Sequence, residues 1–349
     1  MLIFKCYIVI NFLSKSKAGG FNLSSNKRKD FLIIDGLNVS NWESENVYQD
    51  LHKGNVNTIN ATVATWENYS QTLNNISKWY SRFNNRPDIS LIKNTDDILE
   101  SAENDKTGII LGFQNASPIE NNLDNIYTFD ELHVKIIQLT YHERNLLGNG
   151  CYERSDEGLS NFGIDAIKTM NAVGILIDLS HVGMKTTIET IEYSEKPIAI
   201  THANPKSYYN IPRNKTDEAL KLMASKGGVV GITAIAPFLK KGNKSTIEDY
   251  VDAISYTIEL IGLDHVAIGT DFTQDQPETF WKYIGSQQGT KFPSTFTDST
   301  NPSNYPINFE TPDKFPHLID TMKNKGYGSN EISKILGLNW LRIFKEVWN

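Results

Sequence analysis

The sequence predicts a single (β/α)8 barrel, an α/β fold of the TIM type, on three observations. From residue 31 onward, short β-branched apolar runs recur eight times, each is followed by a longer stretch of mixed polarity, and polar residues gather at the carboxyl ends of the runs. Continuous apolar runs of this length are what parallel strands buried on both faces require, and eight of them close a ring.

The runs are FLIIDGLNV (31–39), VNTINATVA (56–64), GIILGFQNA (108–116), VKIIQLTYH (134–142), GILIDLSHV (174–182), PIAITHAN (197–204), GVVGITAI (228–235) and HVAIGTDF (265–272). Helices are expected between them at 187–193, at 216–225 with Asp217 and Glu218 in the first turn, and at 246–261. Early acidic residues suit the positive end of the helix dipole. A last helix over 330–347 places Ile332, Ile335, Leu336, Trp340, Ile343, Phe344 and Val347 at helical spacing and is expected on the outside of the barrel. Two segments break the rhythm, 148–158 and 272–316; long loops after barrel strands shape the mouth, the competing reading for 283–310 being a disordered insertion.

The chain has 349 residues, 39% hydrophobic and 21% charged, with a formal net charge of -7. That length buries one large core, and the acidic balance excludes nucleic acid, which needs clustered Lys and Arg. Cys6 and Cys151 lie far apart, so no disulfide framework is supported and a reducing, cytoplasmic compartment fits. Residues 1–30 read as a disordered leader and 31–349 as the barrel with its C-terminal helix. The leader's apolar run is broken by Lys5 and Asn11 and is too short for a membrane span, a weak signal peptide being the alternative.

At the strand ends stand Gln114 and Asn115, Tyr141 and His142, Asp178, Ser180 and His181, Thr201, His202 and Asn204, and Thr270 and Asp271. Two imidazoles and a carboxylate from adjacent strands, His181, His202 and Asp271, can face one point and suit a divalent ion such as zinc. Asp271 can instead serve as a general base. A lone strand-end histidine is more often structural; the pairing of His181 with His202 favours function. His52, His133, His265 and His317 read as structural.

The strings DLSHVG (178–183), THANP (201–205), PRNKTDE (212–218), GGVVGIT (227–233) and HVAIGTDF (265–272) resemble the membrane dipeptidase family, peptidase family M19, over roughly 31–349. The resemblance implies an amidohydrolase-like barrel that hydrolyses dipeptides with two bridged zinc ions. Carried over residue by residue, it makes His181 and His202 metal ligands, Asp271 the acid/base and Arg213 the grip on the substrate carboxylate. Where the family reads DGHND this chain reads DGLNV, so Leu37 and Val39 hold ligand positions, and the bridging glutamate falls on Gln114. The family's substrate-contacting histidine falls on Tyr141, with His142 beside it; Asn115 and Tyr141 are the expected further substrate contacts. IDGLNVSNW, GFQNASP, QLTYHERNLLGNGCYERSDEGLS and APFLKKG resemble a bacterial dipeptidase-like branch with the same changes. The insert brings Cys151, Glu153, Arg154, Asp156 and Glu157 toward the mouth. Cys151 with Glu153 is a candidate metal or nucleophile pair; an inert buried thiol is the commoner outcome.

The expectation is a hydrolase for a dipeptide or similar small amide bearing a free carboxylate, with zinc or another divalent metal as one ion or none, on His181, His202 and Gln114, and Asp271, Tyr141 and His142 as catalytic residues. The alternative is an inactive barrel that binds a small carboxylate; lyase or isomerase chemistry on Asp271 and Tyr141 is permitted and unsupported. Partners are a small-molecule substrate and no membrane span; the sequence leaves oligomeric state open, a homodimer being one option, for which the aromatic-rich loop 280–315 is the candidate contact.

Overall fold

Along every expected run but 56–64, whose other face carries the buried polar residues Thr58 and Asn60, side chains alternate between two apolar surroundings. In the strand Thr107–Phe113, Ile109, Leu111 and Phe113 join the outer core, while Ile110 packs in a second core inside the ring. Burial on both faces is the condition under which an all-parallel sheet is stable. The computed structural model describes residues 30–287 and 304–348. The expected leader, with Cys6, and the stretch 288–303 of the aromatic-rich loop lie outside the described residues.

Each of the eight runs holds a strand. In chain order the strands are β1 (Ile34–Asn38), β2 (Thr58–Ala64), β3 (Ile89–Leu91), β4 (Thr107–Phe113), β5 (Val134–Gln138), β6 (Leu176–Asp178), β7 (Ala199–Ala203), β8 (Val229–Ile232) and β9 (Val266–Ile268). The ring order is β1-β2-β4-β5-β6-β7-β8-β9, all parallel. The short β3 pairs outside it with β4 and was not foreseen, because three residues carry too little periodicity to read. The ring closes through the parallel bridge Asn38–Phe272 and the bonds Val39 N to Phe272 O (2.7 Å) and Asp271 N to Leu37 O (3.1 Å).

Two seams carry little ladder: β9 against β1, and β6 against β7, which pair at Asp178–Ala199. The same device closes both. Asp35 accepts Thr270 N (2.7 Å) and Thr270 Oγ1 (2.6 Å), and Asp178 accepts Thr201 N (2.8 Å) and Thr201 Oγ1 (2.7 Å). Charge-assisted bonds to backbone N–H groups are about twice as strong as neutral ones.

The helix expected at 187–193 begins earlier, as Met184–Tyr193, because Asp156 of the insert accepts Lys185 N (2.7 Å) and Thr186 Oγ1 (2.8 Å) at its first turn. Those at Asp217–Ser225 and Ile247–Ile261 start where Thr216 and Thr246 cap them. The last helix departs from expectation. It runs as Ser329–Ser333, a π-helical turn Lys334–Leu338 and Asn339–Val347. Ile332, Ile335 and Leu336 pack on the outer core as expected, but Trp340, Ile343, Phe344 and Val347 join the inner one with Ile34, Ile110, Leu176 and Val229. The helix therefore plugs the ring. A Cβ on Gly36 would meet the Trp340 ring at 2.5 Å, and the indole N–H donates to Ile268 O at 2.8 Å. Helical spacing showed that this face is buried, not which surface buries it.

No helix among the described residues is long and apolar enough to cross a membrane.

Candidate functional site

The carboxyl ends of the strands deliver a buried polar cluster. β6 and β7 end side by side, so His181 and His202 face each other with Nε2 atoms 2.9 Å apart, a hydrogen-bond distance. Their protons can be assigned. Asp178 accepts four donors, Ser180 N and Oγ and Thr201 N and Oγ1, and so takes the Thr201 hydroxyl proton. Thr201 Oγ1 then accepts from His202 Nδ1 at 2.8 Å, His202 Nε2 keeps its lone pair, and His181 Nε2 is the donor to it. This leaves His181 Nδ1 buried without a partner. Burial and the charge of Arg213 hold both imidazoles well below the usual histidine range, so they are neutral.

Arg213 is wholly buried behind them. Its terminal nitrogens donate to Ser180 O and His202 O, each at 2.6 Å, and its Nε has no partner. Lys215, also wholly buried, donates to Val182 O and Thr187 Oγ1, and burial pulls its ammonium down to about 7.

In front of this cluster a small cavity of about 30 Å³ is lined by Val39, Gln114, Tyr141, Ile235, Asp271, Thr273, Phe280, Trp281 and Ile284. Burial pushes the Asp271 carboxyl up to about 7, with Asp35 and Asp178 adding to the rise and Arg213 opposing it. Asp271 sits in left-handed backbone at φ 61°, uncommon for a residue with a side chain. Tyr141 is fixed between aromatic rings, edge-on to Trp66 (4.9 Å) and stacked on His181 (4.0 Å). Burial raises its phenol well above the ordinary value, so the hydroxyl keeps its proton.

Of the expected site residues, Asp271, Tyr141 and Gln114 line the cavity, and His142, His181, His202, Arg213 and Asn115 do not. Gln114 Nε2 donates to Thr62 Oγ1 (2.9 Å). Asn115 Oδ1 accepts Asn145 Nδ2 (2.9 Å), fastening the insert. His142 packs its ring between Tyr141, Tyr152 and His181, with Nδ1 buried and unpartnered. The insert is held to the segment that follows β6 by the bridge Gly150–Val182, and burial pushes the Cys151 thiol up, away from the nucleophilic form. Glu153 accepts Arg144 N (3.0 Å) and closes the insert on itself. The apolar wall of Phe280, Trp281 and Ile284 was not foreseen; the aromatic richness of 272–316 was its signal, but nothing in the sequence fixed which aromatics turn inward.

The donor set does not complete a site for a resident metal ion. Among the described residues no three His, Cys, Asp or Glu side chains are gathered to hold one, so Asp271 does not join His181 and His202 as expected. Catalytic zinc needs three protein ligands, and the positions where the resemblance expects further ones hold Leu37, Val39 and the amide Gln114. Arg213, behind the two imidazoles, adds positive charge that opposes a further cation there.

The family model for membrane dipeptidase, peptidase family M19, matches residues 25–281. An uncharacterized dipeptidase of Schizosaccharomyces pombe is 28% identical over 273 residues, 76% of this chain; the chain spans 59% of that relative's length. Among solved structures, an amidohydrolase from Pseudomonas aeruginosa is 40% identical with a TM-score of 0.87, over 92% of this chain and 98% of that one. A metallo peptidase from Rhodobacter sphaeroides, liganded with a phosphinate mimic of L-Ala-D-Ala, shares the fold at a TM-score of 0.77 and 16% identity, over 91% of this chain and 100% of its own.

Proposed function

The chain belongs to the membrane dipeptidase family, peptidase family M19, and on that premise we propose that its barrel, residues 31–349, hydrolyses the amide bond of a dipeptide or similar small substrate with a free carboxylate. The observation that carries the reading is Asp271: a carboxyl facing the cavity, with burial raising it to about 7. A general acid/base works best when its pKa lies near the working pH.

The cavity of about 30 Å³ has room only for water as it stands, so substrate enters by displacing the wall of Phe280, Trp281 and Ile284. In this mechanism ionised Asp271 then takes a proton from the water that attacks the carbonyl carbon. The oxygen that becomes negative meets the Tyr141 hydroxyl, which stays protonated and donates to it. Asp271 then returns the proton to the departing amine as the C–N bond breaks. Arg213, wholly buried behind the histidines and outside the cavity lining, supplies positive field to the anionic transition state; its terminal nitrogens are spent on Ser180 O and His202 O, so the carboxylate grip expected of it is not part of this mechanism. His181 and His202 offer two imidazoles to at most one divalent ion, and no step is routed through it.

Leu37 and Val39 at ligand positions favour a second reading, a barrel that binds a small carboxylate without turnover. One experiment separates the two. Dipeptides and N-acyl amino acids are screened with and without added zinc, manganese or cobalt, on wild-type protein and on Asp271→Asn. Turnover lost in Asp271→Asn supports the hydrolase. Thermal stabilisation by the same compounds without turnover supports the binder, and turnover that survives Asp271→Asn removes this site.

A further inference from the structure

Asp271 occupies a left-handed backbone conformation that residues with a side chain adopt rarely. Such a conformation persists only when the surroundings over-determine it. Both of its main-chain groups are held. Its N–H donates to Leu37 O across the closing seam (3.1 Å), and its carbonyl accepts the hydroxyl of Tyr305 at 2.7 Å.

The Tyr305 hydroxyl is fully committed. It has one proton, which goes to Asp271 O, so Thr273 N and Thr273 Oγ1, each 2.7 Å away, both donate to it. One donated and two accepted bonds fix the oxygen in space. The ring is fixed as well: Tyr305 is 7% exposed and lies against Phe272 with centroids 5.1 Å apart. Tyr305 thus ties the backbone on both sides of Phe272 to one point, from a segment 34 residues further along the chain.

We infer that Tyr305 is a positioning residue for the reaction: its hydroxyl clamps the left-handed turn at Asp271 and so aims the carboxyl into the cavity. It touches neither the cavity lining's substrate space nor the reacting atoms; it acts through Asp271. The inference rests on the acid/base reading of Asp271.

Tyr305→Phe removes one oxygen and leaves the ring packing in place. A misaimed catalytic group loses rate, not affinity, so kcat is expected to fall about 10- to 100-fold with KM within about twofold. Combined with Asp271→Asn, Tyr305→Phe is expected to cost nothing further, since two residues acting as one unit are not additive. A crystal structure of Tyr305→Phe is expected to show Asp271 leaving positive φ. Unchanged kcat, a full additional loss in the double variant, or Asp271 retaining its conformation overturns the inference. Wild-type protein without turnover on any substrate refutes the proposed function instead, and the crystal structure then decides the clamp alone.

Discussion

His181 and His202 present their Nε2 atoms to each other at 2.9 Å, with the second ring anchored through Thr201 to Asp178. A metal ion held between two imidazoles would need each nitrogen about 2.0–2.1 Å away and a further protein ligand. The pair instead shares a proton. Protein purified without chelators is therefore expected to carry fewer than about 0.2 divalent ions per chain by elemental analysis. Chelator is expected to leave the melting temperature unchanged within about 2 °C, since only an ion bound to the folded state would raise it.

The pH profile follows from Asp271. Burial raises its carboxyl to about 7, and the attacking step needs the ionised form. The expected kcat/KM rises about tenfold per pH unit below that value and levels above it. Asp271→Asn is expected to lose about 100-fold or more and to flatten the rise, measured by initial rates across pH 5 to 9.

Lys215 makes stability depend on pH. Its folded pKa, about 7, lies below its ordinary 10.5, so between those values the unfolded chain holds a proton that the folded chain lacks. Stability from this group therefore rises as pH climbs from about 7 toward 10.5. Lys215→Met keeps most of the volume and removes the titration. Urea unfolding at several pH values is expected to show that this variant lacks the wild-type rise.

Trp340 fills the floor of the ring. Trp340→Ala removes the more deeply buried of the inner core's two tryptophans and the bond to Ile268 O, and is expected to cost about 3–5 kcal/mol in denaturant unfolding. Trp340→Phe keeps most of the packing and is expected to cost less than half as much.

The ring itself was legible because most runs, such as GIIL (108–111), KIIQL (135–139) and GILI (174–177), are dominated by consecutive apolar residues, a pattern no amphipathic helix imitates. β3 escaped because Ile89–Leu91 is too short, and the plug escaped because Trp340 and Ile335 look alike in a periodic pattern although one enters the ring and the other packs outside. At the site, residue types at strand ends brought Asp271, Tyr141 and Gln114 to the cavity wall. Sequence order did not reveal that Arg213 spends its terminal nitrogens on Ser180 and His202 carbonyls, or that Asn115 holds Asn145. Those are outcomes of three-dimensional competition for hydrogen bonds, in which a nearby carbonyl wins over a distant solvent-facing role. Tyr305 was hidden for a related reason: its partner lies across a long loop, and a tyrosine in an aromatic-rich segment carries no mark of what its hydroxyl will meet.

The matching aspartate contacts at Thr270 and Thr201 also divide the ring. They join two half-shells, one of β1, β2, β4, β5 and β6 and one of β7, β8 and β9. Within each half-shell, backbone ladders carry the load; along the two joints a few backbone bonds share it with one carboxylate each. Opening under stress should therefore begin as a clamshell at these joints. Amides flanking Thr201 and Thr270 would exchange with deuterium before those of the ladders, while each half-shell stays intact.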